Sequence, residues 1–141
     1  MANLVSNKMR QMMLDSFFKG SAVPLNLYLR LYQDGANIVE GTTLSDIKPF
    51  EQTGGGYSPI QVPQAQWKAS TVVTGGVQIM LNDQTWTSTA DDWKTMRWVV
   101  LSTTADDTGF ILMARDYGMN KSLVGTGATA VVDDLYYQIS A

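Results

Sequence analysis

Leu25-Asn26-Leu27-Tyr28-Leu29-Arg30-Leu31-Tyr32 alternates leucine with a polar or aromatic residue. Successive side chains of an extended chain point to opposite faces, so the leucines share one side and Asn26, Tyr28, Arg30 and Tyr32 the other. That period of two predicts a half-buried antiparallel strand. Pro24 favours an extended lead-in, and Asp34-Gly35 supplies a turn to close the strand.

The same pattern returns further along. Val77, Ile79 and Leu81 alternate with Gln78, Met80 and Asn82 after the turn Thr74-Gly75-Gly76. Tyr57 to Val62 reads as an edge strand, because Pro59 and Pro63 cannot donate to a ladder. Trp67 to Val73 carries a weaker strand pattern. Met96 to Ser102 is dense in Trp98, Val99, Val100 and Leu101 and Gly109 to Tyr117 is equally apolar, as expected of central strands covered on both faces, and they bracket the turn Ala105-Asp106-Asp107-Thr108. Lys121 to Val124, Thr129 to Val132 and Leu135 to Ser140 complete the series. Short strands at near-regular spacing predict a mainly β fold, an antiparallel β-sandwich of jelly-roll or Ig-like kind, rather than an alternating α/β sheet.

Ahead of the strands, Met9, Met12, Met13, Leu14, Phe17 and Phe18 recur at helical spacing, with Ser6 or Asn7 as cap and Gly20 as terminator. This short amphipathic helix predicts an arm over residues 1–20 and a β domain over 21–141. Its methionines and phenylalanines form an adaptable apolar face, suited to covering its own domain or to docking on another subunit. From Ala36 to Gly56 the strand pattern fades into a long loop, with one helical turn around Leu44 to Ile47 and the run Gly54-Gly55-Gly56 at its end. Loops of this length usually contact partners or carry function. Candidate partner contacts are therefore Met9, Met12, Met13, Phe17 and Phe18 on the helix, with Pro49, Phe50 and Tyr57 on the loop and its exit.

Composition narrows the chemistry. The 141 residues include no histidine and no cysteine, which removes imidazole and thiolate groups as nucleophiles or zinc ligands, and disulfides with them. The pairs Asp91-Asp92, Asp106-Asp107 and Asp133-Asp134 lack the further oxygens and the glycine hinge of a calcium loop, and adjacent carboxylates on a strand point apart. Gly125-Thr126-Gly127 lacks the lysine and following helix of a phosphate loop. Thr89-Ala90-Asp91-Asp92 and Thr104-Ala105-Asp106-Asp107 repeat four letters, consistent with two similar turns. No enzyme activity, cofactor or metal is expected.

Ten basic residues face thirteen acidic ones without a basic cluster, so direct nucleic-acid binding is disfavoured. No apolar run approaches a membrane span, and the product is expected to be soluble and unprocessed. Only 16% of residues are charged, which fits a surface partly covered by other subunits and predicts a homo-oligomer. A rival reading takes Trp67, Trp86, Trp93, Trp98, Tyr136 and Tyr137 as the lining of a carbohydrate or host-surface groove, and exposure decides it.

The order of these marks is familiar. Met1-Ala2-Asn3 before a short helix, a Leu-Tyr-Leu strand, Gly55-Gly56-Tyr57, the Gly75-Gly76 turn, Trp93 ahead of Met96 to Leu101, and a closing glycine-turn strand pair together resemble small tailed-bacteriophage virion proteins. The resemblance implies a capsid decoration or cement subunit that binds the major capsid protein or other virion proteins and stabilises the head. A tail adaptor, tip or fibre-associated subunit is the second placement. Either would be assembled in the host cytoplasm and reside in the virion, on the outer surface of the head or in the tail. Residues 1–20 would then serve as the arm, and the loop from Ala36 to Gly56 as a grip on another copy.

Overall fold

The alternating segment forms a strand, Asn26–Tyr32, inside the largest sheet. The computed structural model describes residues 3–121, 123–133 and 135–140. In chain order the elements are β1 (Asn3–Val5), α1 (Asn7–Lys19), β2 (Asn26–Tyr32), α2 (Leu44–Ile47), β3 (Ile60–Pro63), β4 (Thr71–Val73), β5 (Gly76–Met80), β6 (Gln84–Thr87), β7 (Met96–Ser102), β8 (Ile111–Lys121), β9 (Thr129–Val132) and β10 (Tyr136–Ser140). The fold is mainly β, and the paired strands run antiparallel. They form a five-stranded sheet in the order β1-β8-β7-β2-β3, a three-stranded sheet β10-β5-β4 and a two-stranded sheet β6-β9.

The leucine face of β2 lies where the alternation put it. Leu29 and Leu31 pack with Val62, Val99, Leu101 and Met113 of the same sheet, and with Leu81, Trp86, Val132 and Leu135 from the smaller sheets and their flanks. Leu112 joins this cluster beside Met113 because a bulge in β8 offsets the register: Leu101 pairs with Met113 while Ser102 pairs with Ile111.

The opposite face departs from expectation. From Leu29 to Tyr32 the strand is buried on both sides, not half-buried, because the segment after it folds back over the sheet. Ala36, Ile38, Leu44 and Ile47 form a second core with Tyr32, Val100, Ile111 and Ala114. The long loop thus spends most of its apolar side chains on its own sheet, with Val39 and Pro49 left exposed. Its single helical turn, α2, falls at Leu44–Ile47 as predicted and is fixed by a capping box: Thr43 Oγ1 accepts from the Asp46 N–H at 3.2 Å, and Asp46 Oδ2 accepts from the Thr43 N–H at 3.0 Å.

Strands β7 and β9 match their predicted ranges, and β3 lies at a sheet edge as its prolines required. The Trp67 to Val73 pattern yields only Thr71–Val73, preceded by a 3-10 turn over Gln64–Gln66 and an isolated bridge from Trp67 to Leu81. Leu123 and Val124 lie outside any strand, so the predicted Lys121 to Val124 strand is corrected: β8 runs on to Lys121 and ends there. Residue 122 of that expectation lies outside the described residues, as does Asp134 of the third aspartate pair.

Candidate docking surface

Helix α1 begins where Ser6 Oγ accepts from the Met9 N–H at 3.1 Å, and ends at Gly20, whose φ of 65° is the left-handed value that favours glycine. Both carboxylate oxygens of Glu40 accept from the Asn7 N–H at 3.2 Å, which ties the helix start to the loop. Upstream, β1 pairs with β8 through Leu4 opposite Ala114, and the Ser6 N–H donates to the Leu112 carbonyl at 2.9 Å. The helix is therefore held to the large sheet at its N-terminal end.

Its apolar surface is wider than the face it seats. Met9 and Met12 pack against the first core, yet no residue of α1 is fully buried. At 3.6 residues per turn, Leu14, Phe17 and Phe18 fall on the arc beside those methionines and stand clear of the domain. Phe17 is 83% exposed and Phe18 75%. Their rings meet edge-on at 5.0 Å, so the pair forms one projecting apolar knob.

Between this helix and the sheets runs a groove of about 790 Å³, lined by Met9, Met12, Met13, Phe17, Phe18 and eleven other residues, with Ser16 and Gln64 as its polar members. The structure thus brings together all five helix residues singled out from the sequence. Leu25, 72% exposed, and Ile139 of β10 complete the rim. Leu25 was legible only as part of the leucine face. That it borders Phe18 follows from the short link Gly20-Ser21-Ala22-Val23-Pro24, which leaves it little room to be elsewhere. Ile139 carries no such signal, since β10 reaches the groove only through its pairing with β5.

Pro49, Phe50 and Tyr57 lie apart from the groove. Pro49 is exposed on the 3-10 turn Lys48–Phe50, and Phe50 packs on the second core. Tyr57 uses its ring and its hydroxyl within the chain. It stacks on Trp86 at 5.9 Å and meets Trp93 edge-on at 6.0 Å, while its hydroxyl donates to Glu51 Oε1 at 2.9 Å and accepts from the Leu31 N–H at 3.1 Å. Burial, then the adjacent Glu51 charge, pushes that hydroxyl far above the ordinary tyrosine pKa.

The Glu51 carboxylate belongs to a cluster that sequence reasoning missed. Arg30, 1% exposed, projects from β2 into the covered face. Its Nε donates to Ser102 Oγ at 3.1 Å, Nη1 to Glu51 Oε1 at 3.1 Å with Asp107 Oδ1 at 3.6 Å, and Nη2 to the carbonyls of Thr104 and Asp106. Lys48 bridges Glu51 at 3.1 Å and Asp107 at 3.6 Å, and the Glu51 bond holds the lysine above its ordinary pKa. A shallow hollow of about 270 Å³ opens over Arg30, Lys48, Glu51 and Tyr57. Because partners saturate the guanidinium and two cations balance two anions, the cluster clamps the loops around Glu51 and Asp106 to the sheet rather than presenting a reactive group.

The aspartate turns have structural work as well. Asp106 Oδ1 accepts from the Thr108 hydroxyl at 2.6 Å and the Thr108 N–H at 3.0 Å, the predicted bond two residues on. Asp92 and Asp91 instead reach other loops, accepting from the Gly55 and Gly125 N–H groups at 2.8 and 2.7 Å. Among the described residues no three acidic side chains gather as metal ligands, and no helix is long and apolar enough to cross a membrane. Trp86 and Trp93 are buried with their indole N–H groups donating to Ser58 and Gly55 carbonyls, and Trp67 and Trp98 are half-buried. No family model matches the chain, and no curated protein matches it.

Proposed function

We propose that this chain is a structural subunit that works by contact within an assembly of its own copies. The observation that carries the reading is the uncovered apolar surface formed by Phe17, Phe18, Leu25 and Ile139 around the α1 groove. Two phenylalanines this exposed offer roughly 300 Å² to a partner. With Leu14, Leu25 and Ile139 beside them, the surface approaches the ~800 Å² per partner of a stable interface. Asp15 and Lys19 neutralise each other within the helix at 3.7 Å, and Arg10, which shares a face with Leu14 and Phe17, donates to Asn7 Oδ1 at 2.9 Å and adds one positive charge at the margin of the surface.

The β body matches the demands on a shell component, and the finer reading of the sheets is a sandwich: side chains from the large sheet and from both smaller ones meet in one core. We place the assembly in a tailed-phage virion, as a head decoration or cement subunit, with a tail-associated position as the alternative. The order of helix, glycine turns and aromatic marks supports this placement. The carbohydrate-binding reading finds no such support, because none of the four tryptophans stands fully exposed.

Sedimentation velocity on the full chain tests the reading. The wild type is expected to sediment as multiples of 15.5 kDa at micromolar concentration, and the Phe17→Asp/Phe18→Asp variant, still folded, to shift toward 15.5 kDa. A wild type that stays at 15.5 kDa throughout that range would remove self-assembly as the working principle. In purified particles, immunolabelling separates head from tail.

A further inference from the structure

Strand β4 is a free edge of the three-stranded sheet, and its backbone pattern follows from the turn next to it. Thr74-Gly75 forms a two-residue connection, with Gly75 at φ +88°. The residues flanking such a turn exchange both backbone bonds, so Val73–Gly76 and Thr71–Gln78 are the bonded pairs. Val72–Val77 is the unbonded pair between them. Val72 therefore aims its N–H and C=O away from β5, at the open edge.

Its side chain is uncovered as well. At 86% exposure Val72 is the most exposed large hydrophobic residue among those described. It stands opposite Val77, which stands opposite Ile139, and all three are exposed. This apolar row crosses the sheet and ends at the rim of the α1 groove. Edge strands are normally guarded by charge, proline or a bulge. Strand β3 follows Pro59 and ends in Pro63, whereas Thr71-Val72-Val73 has neither charge nor proline.

We infer that a second copy adds along this edge, β4 against β4 about a two-fold axis, with Val72 opposite Val72. This rests on the self-assembly reading above and names one of its contacts. In that register each Val72 donates to and accepts from its mate, and two three-stranded sheets become one of six strands. The row then runs Ile139-Val77-Val72-Val72-Val77-Ile139 without a break. Antiparallel pairing of one strand with itself is self-complementary by symmetry, which a different partner would have to imitate.

The absence of cysteine makes the test clean. A Val72→Cys variant of the full chain is treated with a short bismaleimide, beside Gln138→Cys on the opposite edge and Thr85→Cys on another sheet. Bonded antiparallel residues lie about 5.5 Å apart, within reach of the linker. The expected result is covalent dimer from Val72→Cys well above both controls. Val72→Pro removes the outward N–H and fixes φ at an edge position where proline is tolerated, and should raise the dimer dissociation constant roughly tenfold or more with unchanged far-UV circular dichroism. Val72→Lys, which adds like charge at an exposed site, serves if the proline variant unfolds. Self-association that survives these substitutions, with Val72→Cys no better linked than Thr85→Cys or with Gln138→Cys linked instead, overturns edge pairing and leaves the self-assembly reading standing. A chain monomeric at all concentrations overturns both.

Discussion

Arg30 shows how a polar residue in an alternating strand ends up in an interior. Its guanidinium is buried because Glu51, Asp107 and two loop carbonyls meet it there. Removing one partner leaves an uncompensated charge, and Glu51→Gln is expected to cost roughly 3 kcal/mol. That appears as a lower urea midpoint at unchanged slope. The double variant Arg30→Met/Glu51→Leu should lose less than either single change. Nothing in Leu25 to Tyr32 alone marks Arg30 as buried, because the strand period separates two faces but does not say whether the second has a cover. Gly54 was legible as part of a glycine run, though not its reason: a Cβ there would strike Trp93 Cδ1. Gly54→Ala should destabilise by about 1–3 kcal/mol and alter near-ultraviolet circular dichroism from the displaced indole.

At the scale of elements, legibility follows the range of the signal. Helix α1, with its Ser6 cap and Gly20 terminator, and strands β7 and β9 carry their signatures within their own residues. Strands β1 and β6 do not. Three and four residues long, they exist because β8 and β9 offer partners distant in sequence. The cap of α1 is testable: Ser6→Ala leaves the Met9 N–H without its acceptor and should cost about 1 kcal/mol in thermal or chemical unfolding. The groove beside that helix was half legible. Its phenylalanine wall follows from helical spacing, whereas the Leu25 and Ile139 rim follows from tertiary placement.

For the whole molecule, charge sets where stability is lost. With no histidine, no side chain has its ordinary pKa between 5 and 8, and stability should be flat there. Bonds from the Thr43 N–H and the Thr108 hydroxyl hold Asp46 and Asp106 below the ordinary aspartate value of 3.8. Their contribution is complete above 3.8 and is lost as pH falls through the lowered values, which urea titrations from pH 6 to about 2 should show. Burial, then Glu51, raises the Tyr32 and Tyr57 hydroxyls above 10.0, so their contribution is complete below that value and is lost on the alkaline side.

Across the same molecule, two covered sheet faces contrast with the uncovered apolar surface around α1, which we propose a second copy covers. Nuclear magnetic resonance with a soluble paramagnetic agent, on the full chain at hundreds of micromolar, measures this directly. The Leu25 and Ile139 methyl signals should be shielded like those of the core. Attenuation of both to the level of free surface methyls at that concentration would contradict the account.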